Sequence, residues 1–479
     1  MSTKIVYINL DSDTNRRDGM EKHLNLLGKK NYERFSAFRG EDITVKHNQK
    51  EKRTQGEYGC LYSHIAALKS QENVDDDYVL VLEDDARFLY NFDMNKLWSM
   101  VGKDVDIIQL YSNIWNDELI KIIDKVNVTD CLLNWKDYMS GTQSYVIRKR
   151  SIPKITKYID IENRVLDMTG YSKMLVADGV IYNSVKTVSL TSVLFYTGDY
   201  VSNLTPSCDS ITKKSMIRRL QIKPNNTLKK IFTHKDKITL CIKTFLRPQC
   251  LDNCISSFRK YYPDIHIIVA DDSSDKYKKL NDNIVKKYKN VTKKDLPFDT
   301  GLSYGRNEMV KDVKTPYTLY VDDDVIFSEK SDVLHHLSFM ENNPEYDMVC
   351  GVEPQKTDGF NTYKIKSVKK ENNFYTIKGG KVDAVHFEKI KHPFLDTRET
   401  HLGYNKIIAK TSKLIQTPWI KEFKLREHTP FFCDWFLAGH KVANSDNFIF
   451  IENRLNSHYP EYDKHRWGEK DRKKPFKWV

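Results

Sequence analysis

Residues 78–88 read YVLVLEDDARF, and residues 315–327 read TPYTLYVDDDVIF. Each is an apolar strand that runs out into acids: Glu83, Asp84 and Asp85 in the first, Asp322, Asp323 and Asp324 in the second. Carboxylates held at close range repel and raise one another's pKa. A hard divalent cation among the oxygens makes such a cluster favourable. The carboxyl end of a parallel strand is also where open α/β sheets bind ligands. Bound Mn²⁺ or Mg²⁺ there is a natural partner for a nucleotide diphosphate. That the pattern occurs twice predicts two copies of one architecture.

The flanking sequence predicts the rest of each copy. KIVYINL (4–10) is a strand, NRRDGMEKHLNLLG (15–28) a helix ending on glycine, GCLYSHIAALKSQEN (59–73) a second helix and VDIIQLYS (105–112) a further strand. After residue 237 the alternation restarts with KITLCIKTF, QCLDNCISSFRKYY, IHIIVADDSS and LSYGRNEMVKDV. This alternation predicts α/β layers around a mostly parallel sheet. Residues 208–236 are basic, contain Pro224 and keep no apolar period, so they read as a connector. The expected division is 1–207, connector 208–236, and 237–479 with a basic tail. A solvated tail is favoured over a lid on a diphosphate.

The chain has 479 residues, enough for two or three domains, with 40% hydrophobic residues for their cores. A net charge of +12 favours anionic ligands without choosing among them. No basic, aromatic-interleaved groove for nucleic acid is present. No signal peptide and no apolar run of about 18 residues is found, so a cytoplasmic protein without a membrane span is expected. Eight scattered cysteines form no CxxC pair and read as reduced thiols; the N-glycosylation sequons are therefore expected to be bare.

The second half holds the fuller set of candidate site residues. Asp271 and Asp272 end a strand and suit a uracil ring or ribose, although Asp-Asp-Ser-Ser is also a common turn. Arg306 is a candidate for bidentate phosphate contact or an exposed helix arginine. Asp322 and Asp324 alternate on one strand face and make the metal site, with His458 as a further ligand. Glu427, His428 and Asp434 are candidate bases, because a sugar hydroxyl needs one within hydrogen-bond reach to lose its proton.

KTFLRPQCLDNCISSF, ADDSS, GLSYGRNEMV, TPYTLYVDDDVIF and REHTPFFCDWFLAGHKV resemble the GT-A nucleotide-sugar glycosyltransferases. The nearest group is the GM2-synthase-like β-1,4-N-acetylgalactosaminyltransferases and family 2, over roughly residues 237–460. The resemblance implies a UDP-sugar donor, Mn²⁺ or Mg²⁺ at Asp322 and Asp324, and inversion at the anomeric carbon. It adds Thr244 and Arg247 as donor-binding candidates. The acid frequent in that family at position 430 is Pro430 here, which leaves Glu427 or Asp434 as base.

The first half resembles family 25 glycosyltransferases, which include lipooligosaccharide galactosyltransferases and collagen hydroxylysine galactosyltransferases. The carrying motifs are YINLDSDTNRRDGM, GEYGCLYSHIAAL, VLVLEDDA, SGTQSYVIRKRS and VADGVIY. They imply Asn9 and Arg17 in donor binding, Glu83 and Asp85 in metal binding, and Asp178 as an acceptor or base residue. The proline usual before that last aspartate is Ala177.

The expectation is therefore two tandem GT-A domains with at least one metal-dependent, inverting hexosyltransferase, glucose or galactose favoured. The acceptor is a glycan or a hydroxylysine-linked sugar of a collagen-like protein, and homodimerisation is open. The alternatives are a surface-glycan transferase, or a glycan-binding N-terminal domain fused to one active transferase. A nucleotidyltransferase would carry a glycine-rich N-terminal loop, which neither half has.

Overall fold

The computed structural model describes residues 2–50, 53–114, 116–198, 209–352, 362–382, 389–390, 397–453, 459–466 and 475–479. The chain divides into Met1–Phe232 and Thr233–Val479.

In the N-terminal unit, β1 (Thr3–Asn9), α1 (Thr14–Leu26), β2 (Tyr32–Ser36), α2 (Gln55–Ser70) and β3 (Tyr78–Glu83) come first. β4 (Ile107–Gln109), β5 (Leu132–Asn134), β6 (Ser144–Arg148), α3 (Ala177–Ser184) and β7 (Thr187–Leu190) follow. Their sheet has the order β2-β1-β3-β6-β4-β7-β5. Asp13 caps α1 by accepting from the Arg16 amide. Thr54 and Glu57 form a capping box on α2, satisfying amides that the helix leaves open. α2 buries Leu61, Tyr62, Ile65 and Leu68 against Val79 and Val81 of β3 in one core.

The segment expected to be a connector is largely part of this unit. α4 (Asp209–Gln221) buries Ser215 and Arg219 fully. Arg219 donates to the carbonyls of Thr191 and Leu190, and Leu228, Ile231 and Phe232 are buried after it. Its apolar residues are too few for a helical period, so the carbonyls that Arg219 satisfies are invisible in the sequence.

The C-terminal unit repeats the opening. β8 (Ile238–Thr244), α5 (Pro248–Tyr261), β9 (His266–Asp271), β10 (Val291–Asp295), α6 (Leu302–Asp312) and β11 (Tyr317–Asp322) follow in turn. β12 (Met348–Val352), the hairpin β13 (Thr362–Glu371) and β14 (Phe374–Val382), β15 (Lys389–Ile390), β16 (Thr397–Thr400) and β17 (Ile407–Lys410) come next. α7 (His428–Leu437), β18 (Val442–Ile449), α8 (Pro460–Arg466) and β19 (Phe476–Trp478) complete it. The main sheet runs β10-β9-β8-β11-β17-β12-β18-β16-β15.

Both units are α/β, in the class expected, but their sheets are mixed. β1 pairs parallel with β2 and β3, and β8 pairs parallel with β9 and β11. β3–β6 and β11–β17 are antiparallel. Strands covered on both faces are apolar in either direction, so composition does not distinguish the two pairings. In each unit the chain order reverses beside the first strand, at β1/β3 and β8/β11. That is the switch point at which α/β sheets open a crevice.

Candidate active sites

In the C-terminal unit the switch point gathers three strand ends. The register sets Lys243 beside Asp322 and Thr244 beside Asp271. Thr244, Arg247, Asp272, Asp322, Asp324 and Glu452 line one cleft there. Asp323 is fully buried and accepts from Thr244 Oγ1 at 2.7 Å and from Arg247. Arg247 also donates to Asp324 at 3.1 Å. Burial, and after it the neighbouring Asp324 and Asp322, push Asp323 up to about 6, against the pull of Arg247. Burial acts on Asp322 in the same direction, but Arg306, Lys406 and the Tyr320 hydroxyl outweigh it and leave that carboxyl below its ordinary value.

Asp272 lines the cleft, whereas Asp271 does not. Asp271 is fully buried and accepts from Asn281 at 2.8 Å and from the Ser273 amide at 3.0 Å, so it braces the loop. Asp272 pairs with the buried Lys243 and accepts from the Gly301 amide at 2.9 Å. Gly301 has φ +89°, and a Cβ there would meet the Lys424 backbone at 2.6 Å. Only glycine serves at that turn.

Arg306 is neither a phosphate ligand on the surface nor an exposed helix residue. It is fully buried, donating to Glu427 at 2.6 Å and to Asp322 at 3.2 Å, with its guanidinium 4.5 Å from the Tyr320 ring. Glu427 immediately precedes α7 and is 4% exposed. His428 leans on Asn405; burial first, then Arg306, lower it to about 4, so it is neutral at physiological pH. Asp434 departs from its expected role as a base. It accepts from Lys370 at 2.8 Å and Tyr375 at 2.9 Å, fastening the β13–β14 hairpin to α7. Seven residues along a helix from Glu427, its distance from the acids follows from helical rise. His458 lies outside the described residues. His465, from the tail read as solvated, lines the cleft with Tyr462, whose ring is 4.2 Å from the Arg247 guanidinium.

The N-terminal unit builds the same arrangement from other residues. Asn9 Nδ2 donates to Asp84 at 2.8 Å, as Thr244 does to Asp323. Arg16 Nη2 lies 2.7 Å from Asp84 and 3.0 Å from Asp85, as Arg247 holds Asp323 and Asp324. The guanidinium at the acids is thus that of Arg16; Arg17 points outward, 3.8 Å from Asp18. Arg16 follows the cap Asp13 by three residues and so falls on the inner face of α1. Asp85 is pushed up to about 7 by burial and then by Glu83, and its Oδ1 is buried without a hydrogen-bond partner. Glu83 accepts from Thr142 at 2.7 Å and lies 3.5 Å from His64. Asp178 accepts from the amides of Gly141 and Gly179, each at 2.9 Å. Cys60 and His64 were not among the expected site residues; their i, i+4 spacing on α2 facing the acidic strand is the signal.

The donors around Asp322 and Asp324 are carboxylate oxygens, and the Asp322 side chain is 24% exposed toward the cleft. This set suits a hard cation such as Mn²⁺ or Mg²⁺. The unpartnered Asp85 oxygen beside Glu83 is also suited to one. Among the described residues, however, the one group of three His, Cys, Asp or Glu with ligand atoms mutually within 4.8 Å is Cys60, His64 and Glu83.

Residues 2–169 match the family model for Glycosyltransferase family 25 (LPS biosynthesis protein), and residues 239–395 that for Glycosyl transferase family 2. The N-terminal half thus resembles family 25, and the C-terminal half resembles family 2 and the GM2-synthase-like transferases; each half matches a glycosyltransferase family model. The chain is 41% identical over 117 residues to Beta-1,4 N-acetylgalactosaminyltransferase 2 of Mus musculus, covering 24% of this chain and 21% of that one. It is 30% identical over 202 residues to Beta-1,4 N-acetylgalactosaminyltransferase 1 of Mus musculus, covering 41% and 35%. A Glycosyltransferase 25 family member of Anopheles gambiae is 35% identical over 99 residues, covering 18% and 17%. The chain therefore spans about a third or less of the length of these relatives. A solved structure of Mannosyltransferase PcManGT from Pyrobaculum calidifontis aligns at TM-score 0.34 and 10% identity over 49% of this chain and 61% of that one, too distant to bear on the site.

Proposed function

We propose that this chain is a metal-dependent, inverting glycosyltransferase that uses a UDP-sugar, with its working site in the C-terminal unit. One observation carries this reading: Thr244, Arg247, Asp272, Asp322 and Asp324 line a single cleft at the switch point of the sheet. The relatives' names favour N-acetylgalactosamine over glucose or galactose as the transferred sugar, and a glycan as the acceptor. No helix among the described residues is long and apolar enough to cross a membrane.

Asp322 and Asp324 would hold the cation, which when bound offsets the charge of the departing diphosphate. Arg247 is placed to trade one of its carboxylates for a phosphate oxygen. Asp272 receives the ribose or base edge. Glu427 takes the acceptor proton as the acceptor oxygen bonds to the anomeric carbon. The bond from that carbon to the diphosphate oxygen breaks in the same displacement, and the configuration inverts. Arg306 positions both Glu427 and Asp322 for that step through its two terminal nitrogens.

A turnover screen of UDP-glucose, UDP-galactose and their N-acetyl forms with Mn²⁺ tests the proposal. The expected result is release of UDP from one N-acetylhexosamine donor, abolished by EDTA and restored by Mn²⁺. Full turnover in chelator, or preference for GDP- or ADP-sugars, overturns it.

A further inference from the structure

We infer that the N-terminal cleft is a binding site for a borderline divalent cation of the Zn²⁺ class, held by Cys60, His64 and Glu83. The inference is independent of the transferase reading of the C-terminal unit. α2 places Cys60 and His64 one turn apart on the same face, and β3 ends on Glu83 opposite them. Their ligand atoms lie mutually within 4.8 Å. Ligand atoms about 2.0–2.3 Å from a tetrahedral zinc stand roughly 3.5 Å apart, so closure needs a contraction of about an ångström.

The surroundings are those of a prepared site. His64 is 1% exposed, and its Nδ1 faces the Tyr145 hydroxyl at 3.3 Å, leaving Nε2 toward Glu83. Such a contact to the second ring nitrogen fixes a ligating imidazole. The Thr142 hydroxyl holds Glu83 at 2.7 Å. All three ligands line a cleft of about 320 Å³, so a fourth coordination position faces open space. Three protein ligands and one open position are the pattern of reactive rather than purely structural zinc sites. A thiol and an imidazole favour a softer ion than Mn²⁺.

The C-terminal unit supplies the contrast. There the helix before the acidic strand presents the guanidinium of Arg306 to the first acid, Asp322. In the N-terminal unit the same helix presents the imidazole of His64, 3.5 Å from Glu83. The two units have thus diverged at one position, one setting a guanidinium beside its first acid and the other an imidazole able to ligate a metal. A thiol ligates as thiolate, so binding at Cys60 releases its proton to solvent as the sulfur–metal bond forms.

The test is cobalt spectroscopy on the full chain after chelation. Added Co²⁺ is expected to produce a thiolate-to-cobalt band in the near ultraviolet, which added Zn²⁺ removes. Cys60→Ser abolishes the band and His64→Ala abolishes binding at this site. Tyr145→Phe weakens binding by roughly 10–100-fold. Asp85→Asn retains the band. In the unmodified chain, Zn²⁺ protects Cys60 from alkylation as read by mass spectrometry, a measurement independent of variant folding. A band that survives Cys60→Ser, cobalt bound without a thiolate band and lost in Asp85→Asn, or equal alkylation of Cys60 with and without Zn²⁺ each overturns the inference.

Discussion

Arg306 and Glu427 are joined by a hydrogen bond of 2.6 Å with neither side chain facing solvent. The other terminal nitrogen of the same guanidinium reaches Asp322 at 3.2 Å. One buried cation thus couples a candidate base to the first acid of the strand end, across helices and strands far apart in sequence. Ionised groups at such burial persist only when paired.

Arg306→Ala leaves the buried Glu427 without its cation and removes one of the groups that hold Asp322. Breaking a buried pair from one side costs about 3–5 kcal/mol. Urea denaturation is expected to show a loss of that order. Arg306→Lys is expected to recover part of the stability but little of the transfer, because one ammonium cannot present the fork that spans both carboxylates.

Glu427→Gln preserves an acceptor for Arg306 while removing the base. Sugar transfer is expected to fall by about 10²–10⁴ with the KM for the donor little changed. Asp434→Asn is expected to leave kcat within a few-fold of wild type while costing about 1–2 kcal/mol, as Lys370 and Tyr375 lose their carboxylate. Steady-state kinetics on both variants separates the two acids. A larger kcat loss in Asp434→Asn would return the base to that residue.

The two acidic strand ends and the helices before them were legible in the sequence, because buried strands and amphipathic helices write their period directly. The partners of those acids were less so. Arg17 and Arg16 are adjacent in a motif, and only the capped start of α1 decides which faces the sheet. Asp434 and Glu427 share a motif, yet the hairpin that claims Asp434 is built from residues more than 50 positions away. Asp271 and Asp272 are alternatives in a Asp-Asp pair, and the strand register turns one into the core and the other into the cleft. Arg306 resembled a surface arginine because nothing local announces that its partners are the buried Glu427 and the strand-end Asp322.

His428 carries a pH signature. Its folded pKa of about 4 lies below the ordinary value of 6.5, so the unfolded chain takes up its proton first. Stability from this group is intact above pH 6.5 and falls as the pH drops toward 4, by about 3 kcal/mol in all. Denaturant midpoints at pH 7 and pH 4 are expected to diverge less in His428→Gln than in wild type. An identical acid limb in the variant would show that the imidazole is not held neutral.

The central claim is that the C-terminal cleft performs the transfer, and two double variants test it most directly. Sugar transfer from the donor found by the turnover screen is measured for Asp322→Ala with Asp324→Ala, and for Glu83→Ala with Asp85→Ala, each checked for folding by circular dichroism. The account predicts a loss on the order of 10²–10³ or more in the first. In the second it predicts that this transfer is retained. Abolition of all transfer in the N-terminal double variant, with transfer intact in the C-terminal one, would contradict it.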